Sequence, residues 1–110
     1  MNRLLTRSID FNAIHAHDGS THGHRFTVTA SLLVGSQPDP APLVAALAAI
    51  RAELHNRVIG EMLPGIDQSA LGLATWAFER LSGPLPKIES VSVVEDDWKG
   101  ETGTVTRTIR

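Results

Sequence analysis

The chain has 110 residues, 42% of them apolar and 20% charged, with 10 Lys and Arg against 12 Asp and Glu. That length and balance predict one globular domain, residues 1–110, with a single modest core. A formal charge of −2 without clustered Lys or Arg argues against a nucleic-acid partner, and the absence of cysteine excludes disulfides and thiolate metal sites.

The opening residues MNRLLTRSIDF hold no apolar run long enough for a signal peptide, and the longest apolar stretch, Leu43 to Ile50, is too short to span a bilayer. The expected setting is cytoplasmic, with no membrane partner. From Leu5 the odd positions Leu5, Arg7, Ile9, Phe11, Ala13 and His15 show period-two alternation with one polar interruption, at Arg7, which predicts a strand. Residues 16–21 (AHDGST) have turn chemistry. From His22 the even positions His22, His24, Phe26, Val28, Ala30, Leu32 and Val34 form the inner face of a second strand.

The segment GSQPDPAP, residues 35–42, breaks that strand, and Asp39 is placed to cap a helix. Leu43, Leu47, Ile50, Leu54 and Val58 recur at helical spacing, with Gly60 as the expected C-terminal stop. A second helix is expected from about Ser69, with Leu71, Ala74, Phe78 and Leu81 on its buried stripe, ending at Ser82-Gly83-Pro84. A third strand follows from Lys87, with Val91, Val93 and Glu95 on one face and Ile88 and Val94 on the other. A polar turn spans residues 96–103, and Val105 to Ile109 read as a short last strand. The order β-β-α-α-β-β predicts an α+β domain with two helices on one face of an antiparallel sheet.

Five histidines are present, and their placement carries more than their number. His22-Gly23-His24 puts two imidazoles on one face of a strand, and His15 ends the strand before it. If the two strands pair as a hairpin, the three rings converge at one end of the sheet. Three neutral imidazoles suit Zn²⁺ and leave a fourth position for water or substrate. Spacing alone leaves open that these are ordinary polar residues near a turn, and His17 makes a second H-x-H that is an extra ligand or a decoy.

Phe11, Ala13 and His15 match an F-x-A-x-H strand motif, and His22-Gly23-His24 matches an H-G-H motif. Together they resemble the 6-pyruvoyl-tetrahydropterin and 6-carboxytetrahydropterin synthases. Leu73, Ala74 and Trp76 match that family's L-A-x-W pattern, and the likeness covers nearly the whole chain. The resemblance implies the tunnelling fold, zinc on His15, His22 and His24, and homo-oligomers, trimers stacking into hexamers. It places Glu95 where the family holds the guanidine-like edge of a pterin ring, a role suited to a carboxylate that accepts two parallel N–H bonds.

The departures fall on the chemistry. In the family a catalytic cysteine opens a C-G-x-x-H-G-H string; here Asp18 takes its place. A carboxyl, with an ordinary pKa of about 3.9 against about 8.5 for a thiol, still moves protons with different strength. The family's Asp-His relay aligns with His55-Asn56, leaving His55 as the second proton carrier; a shifted register would instead bring in Asp67. The family's P-T-x-E-N motif is replaced by Gln68, Ser69, Ala70, Leu71 and Gly72, so Leu71 stands where a glutamate would be. The expectation is a zinc-dependent, lyase-type enzyme on a dihydroneopterin-like substrate, with Asp18 and His55 as catalytic residues. The alternative is a zinc-containing binding protein of the same fold without catalysis.

Overall fold

The computed structural model describes residues 3–17, 19–96 and 102–106. The alternation of residues 3–34 is realised as one long antiparallel hairpin of β1 (Arg3–His17) and β2 (Ser20–Val34), in register from Arg3 opposite Val34 to His17 opposite Ser20. Residues 16, 17, 20 and 21, expected in the turn, extend the strands instead. Gly19, at φ +76°, supplies the left-handed backbone that so tight a reversal demands.

Asp39 accepts the Ala41 N–H at 3.0 Å and helps open α1 (Ala41–Leu54), which buries Leu43, Leu47, Ile50 and Leu54. The helix ends earlier than its apolar stripe suggests. Asn56 turns left-handed at φ 60°, and its N–H donates to the Asn12 carbonyl at 2.6 Å. Arg57 and Val58 then form β3 (Arg57–Val58), parallel to β1 at Ala13 and Ile14. Gly60, expected as a stop, lies inside the short α2 (Ile59–Met62).

Helix α3 (Ala70–Ser82) opens at Ser69, whose hydroxyl accepts the Gly72 N–H. Its buried stripe is Ala70, Leu73, Ala74, Ala77 and Leu81; Leu71 is 55% exposed and Phe78 only half-buried, a correction to the expected stripe. Three of these five are alanine, and the helix start presses closely onto the sheet. A Cβ on Gly103 would stand 2.3 Å from the Leu71 backbone nitrogen, so only glycine fits there.

The sheet closes with β4 (Ile88–Asp96) and β5 (Thr102–Thr106), in the order β3-β1-β2-β4-β5. Ile88, expected on the opposite face from Val91, is fully buried with it. A bulge between Ser31 and Leu32 pairs Leu32 with Ile88 and skips a residue of β4, which returns Ile88 to the core face. The last strand begins at Thr102 rather than Val105; residues 107–109, expected to continue it, lie outside the described residues.

The register puts Phe11, Ala13 and His15 of β1, His22 to Leu32 (even positions) of β2, and Val91, Val93 and Glu95 of β4 on one face. Helix α1 packs against β1, and α3 against β4 and β5, on this same side, where the apolar members join one buried cluster. The opposite face is hydroxyl-rich: Thr6 bonds Ser31 at 2.8 Å and Ser8 bonds Thr29 at 2.7 Å. This is the α+β architecture expected from the element order, with β3 and α2 added between the helices. Among the described residues no helix is long and apolar enough to cross a membrane.

Candidate metal centre

Hairpin register determines which histidines meet. His15 lies directly opposite His22, and Ala13 opposite His24, so all three rings project from the helix-covered face at the turn end. Their ring centroids are 4.5–4.9 Å apart and every pair is close to perpendicular, at 74° to 87°. One nitrogen from each ring lies within 4.8 Å of the others.

Phe26 forms the floor. Its ring stacks on Phe11 at 5.4 Å and meets His15 and His24 edge-on at 5.2 and 5.9 Å. Phe26 is fully buried, so it restricts the rotamers of both histidines and keeps water away from the underside of the site.

Two further residues set ring orientation. The Gln68 carbonyl lies 2.7 Å from His15 Nδ1, and a carbonyl only accepts, so Nδ1 carries the hydrogen. In the neutral ring, Nε2 is then the lone-pair nitrogen turned toward the cluster. His22 Nε2 donates to that lone pair at 3.0 Å, and Ser20 Oγ, 2.9 Å from His22 Nδ1, can donate to this tautomer or accept from the other one, which would turn a lone pair to a metal. Outer partners of this kind orient metal-ligating imidazoles. The Gln68 side chain also accepts the Ala16 N–H at 2.9 Å, tying the loop before α3 to the end of β1.

The donor set fits a zinc ion. His15 Nε2 and His22 Nε2 are 3.0 Å apart, close to the roughly 3.3 Å separating two nitrogens that share a tetrahedral ion at about 2.0–2.1 Å. Glu95 is on the same face, opposite Phe26, and is 3% exposed; its Oε1 stands 3.5 Å from His15 Nε2. Three neutral rings beside one carboxylate suit a divalent cation.

His55 is placed elsewhere. At the end of α1, its Nδ1 accepts the Asn12 N–H at 3.2 Å and its Nε2 faces the Arg51 guanidinium at 3.3 Å. It lines a cleft with Asp10, Phe11, Asn12, Arg25 and Arg51, whereas the histidine cluster gathers without it. Asp67 is used locally, accepting from the Ser69 N–H and hydroxyl at 3.0 Å each. Asp18 and the side chain of His17 lie outside the described residues.

A cavity of about 600 Å³ adjoins His24 and is bordered by Asn12, Arg25, Asn56, Arg57 and Asp96. Volumes of that size take small organic ligands. Sequence reasoning missed Ser20, Arg25 and Arg57, and saw Gln68 only as a lost motif position. Arg25 had a signal, since it directly follows the histidine pair; a backbone carbonyl such as that of Gln68 has none.

Neither a protein-family model nor a curated protein matches the chain significantly. Solved structures do. A 6-pyruvoyl tetrahydropterin synthase of Caenorhabditis elegans superimposes with a TM-score of 0.81 at 16% identity, covering 98% of this chain and 97% of that one. The Plasmodium vivax enzyme gives 0.70 at 14% identity, with 99% of each chain covered. A variant of the latter, with a catalytic glutamate replaced by cysteine, gives 0.71 at 15% identity and the same coverage. The chain has the 6-pyruvoyl tetrahydropterin synthase fold. Within that fold, the tunnelling fold expected from the sequence, the F-x-A-x-H and H-G-H histidines are the ones that converge.

Proposed function

We propose that the protein is a zinc-dependent, lyase-type enzyme acting on a pterin or a related reduced heterocycle. The observation that carries this reading is the convergence of His15, His22 and His24, with mutually perpendicular rings, in the fold of pterin synthases. His15, His22 and His24 hold the metal. Bound zinc supplies Lewis acidity toward hydroxyl or carbonyl oxygens of the substrate side chain.

The remaining roles fall to the chain's own groups. Asp18, four residues before His22, takes up the proton released at carbon and returns it later in the reaction. That a carboxylate serves in this fold is supported by the Plasmodium synthase, which has a catalytic glutamate. Glu95 accepts paired N–H bonds from the heterocycle edge. His55 is the second proton carrier, and to act it must give up its contacts with Asn12 and Arg51.

The helix-free sheet face exposes Leu4, Ile14 and Val94 among its hydroxyls, and the edge of β1 is paired by β3 only at Ala13 and Ile14. Both features support self-association, which we propose is a trimer or hexamer; a cytoplasmic setting belongs to the same proposal. A second reading, a zinc-containing binding protein without catalysis, is favoured by one observation: His55 Nδ1 already accepts the Asn12 N–H, away from the cluster.

The test is turnover of dihydroneopterin triphosphate and its dephosphorylated form by zinc-loaded protein, followed by chromatography. The enzyme reading expects zinc-dependent loss of one of them, abolished in Asp18→Asn. Pterin binding with neither consumed supports the binding protein.

A further inference from the structure

We infer that the protein has a second binding site, for a small phosphate monoester, in the cavity on the helix-free side of the sheet where Arg25 and Arg57 border the bare backbone of Gly23. The inference does not depend on the metal reading, because this cavity lies across the sheet from the three imidazole rings.

Strand alternation puts it there. His22 and His24 face the helices, so Gly23 and Arg25 present the other side, as do Asn12 and Ile14 on the paired strand. These four border the cavity of about 600 Å³, and Ala13 and His24, whose side chains point away, border it with their backbone. Gly23 makes the hollow. A Cβ there would find nothing nearer than the Ala13 carbonyl at 3.8 Å and Ile14 Cγ1 at 3.9 Å, and its backbone is not left-handed. Neither crowding nor backbone conformation therefore requires glycine at this position. A bare glycine inside a strand then suits the close approach of a ligand.

The charge at this corner of the sheet is positive although the chain as a whole is at −2. Arg25 and Arg57 border the cavity, and Arg51 borders the adjoining cleft with Arg25, its Nε donating to the Asp10 carbonyl at 3.0 Å. With Asp96 on the cavity and Asp10 on the cleft, three cations stand against two carboxylates. Asp96 Oδ2 is 3.9 Å from Arg25 Nε and both are more than half exposed, a contact too long for a hydrogen bond and worth little in water. An anion can displace it.

Guanidinium forks match phosphate oxygens two at a time, and the Asn12 and Asn56 amides add neutral donors on the same rim. A phosphate monoester offers three strong acceptor oxygens and about two negative charges at pH 7, more than a carboxylate brings to two forks. Ile14, 41% exposed, gives an apolar wall for the organic body of the ligand. The hollow has the size of a small-molecule pocket, and a polynucleotide would need a longer basic stripe.

The experiment is isothermal titration of the full chain, freed of metal so that no anion binds through an ion. The probes are phenyl phosphate, inorganic phosphate and benzoate. The proteins are the parent, Arg25→Gln, Arg57→Gln, Gly23→Val and His22→Ala, with circular dichroism confirming each fold. Phenyl phosphate should bind the parent saturably and more tightly than either other probe. Its affinity should fall about tenfold in each arginine variant, vanish in Gly23→Val and stay unchanged in His22→Ala.

No saturable binding by the parent, parent-like affinity in both arginine variants, or binding lost in a folded His22→Ala overturns the inference. Inorganic phosphate or benzoate binding as tightly as the ester overturns the assignment to a monoester. If Gly23→Val does not fold, the two arginine variants decide, since Arg25 and Arg57 are both exposed and their replacement leaves the core intact.

Discussion

Gln68 and Phe26 show how the histidine cluster is built from residues that are not histidines. Gln68 gives its backbone carbonyl to His15 Nδ1 and its side-chain carbonyl to the Ala16 N–H, so one loop residue sets both the ring and the strand that bears it. Gln68→Ala keeps the first bond and loses the second. The expected outcome is weaker zinc binding by about tenfold, read by chelator competition, with the melting temperature little changed. Phe26 is fully buried against Phe11, His15 and His24. Its replacement by alanine should cost about 3–5 kcal/mol in denaturant unfolding, because the vacated volume sits between strands that cannot close over it.

The elements differ in how plainly their residues announce them. The hairpin was legible because period-two alternation over residues 5–15 and 22–34 leaves one way to bury both apolar sets, and the same alternation brings His15, His22 and His24 together. The end of α1 was not legible. Val58 and Gly60 continue its pattern by coincidence, and what stops the helix is a long-range bond from Asn56 to Asn12 with a left-handed backbone. Ile88 was misplaced for a similar reason, since a bulge in the pairing leaves no mark in local composition. At the site, side chains with chemistry of their own were legible and the carbonyl of Gln68 was not.

Two element-scale outcomes are expected. Ser69→Ala removes the hydroxyl that caps α3 and bonds Asp67, and should cost about 1 kcal/mol, roughly 4–8 °C in melting temperature. Gly103→Val should be far more damaging, because the backbone of Ala70 and Leu71 occupies the space a Cβ needs. Calorimetry of the two variants side by side gives their order.

At the scale of the whole molecule, a hairpin of two 15-residue strands sets the 46 Å long axis, with helices covering only one face. The uncovered face carries hydroxyls together with exposed Leu4, Ile14 and Val94. The proposed oligomer would cover that face, and light scattering of the purified protein should report a mass of three or six chains; a monomer at micromolar concentration would remove it. The fold is shared almost end to end with pterin synthases at 14–16% identity, so the architecture persists where most of the residues differ. The most direct measurement is zinc content per chain by atomic emission, for the zinc-loaded and dialysed protein and for His22→Ala. One zinc per chain in the parent, lost in a variant that still folds, is the predicted result. Equal metal content in the two proteins would contradict the three-histidine centre and every role built on it.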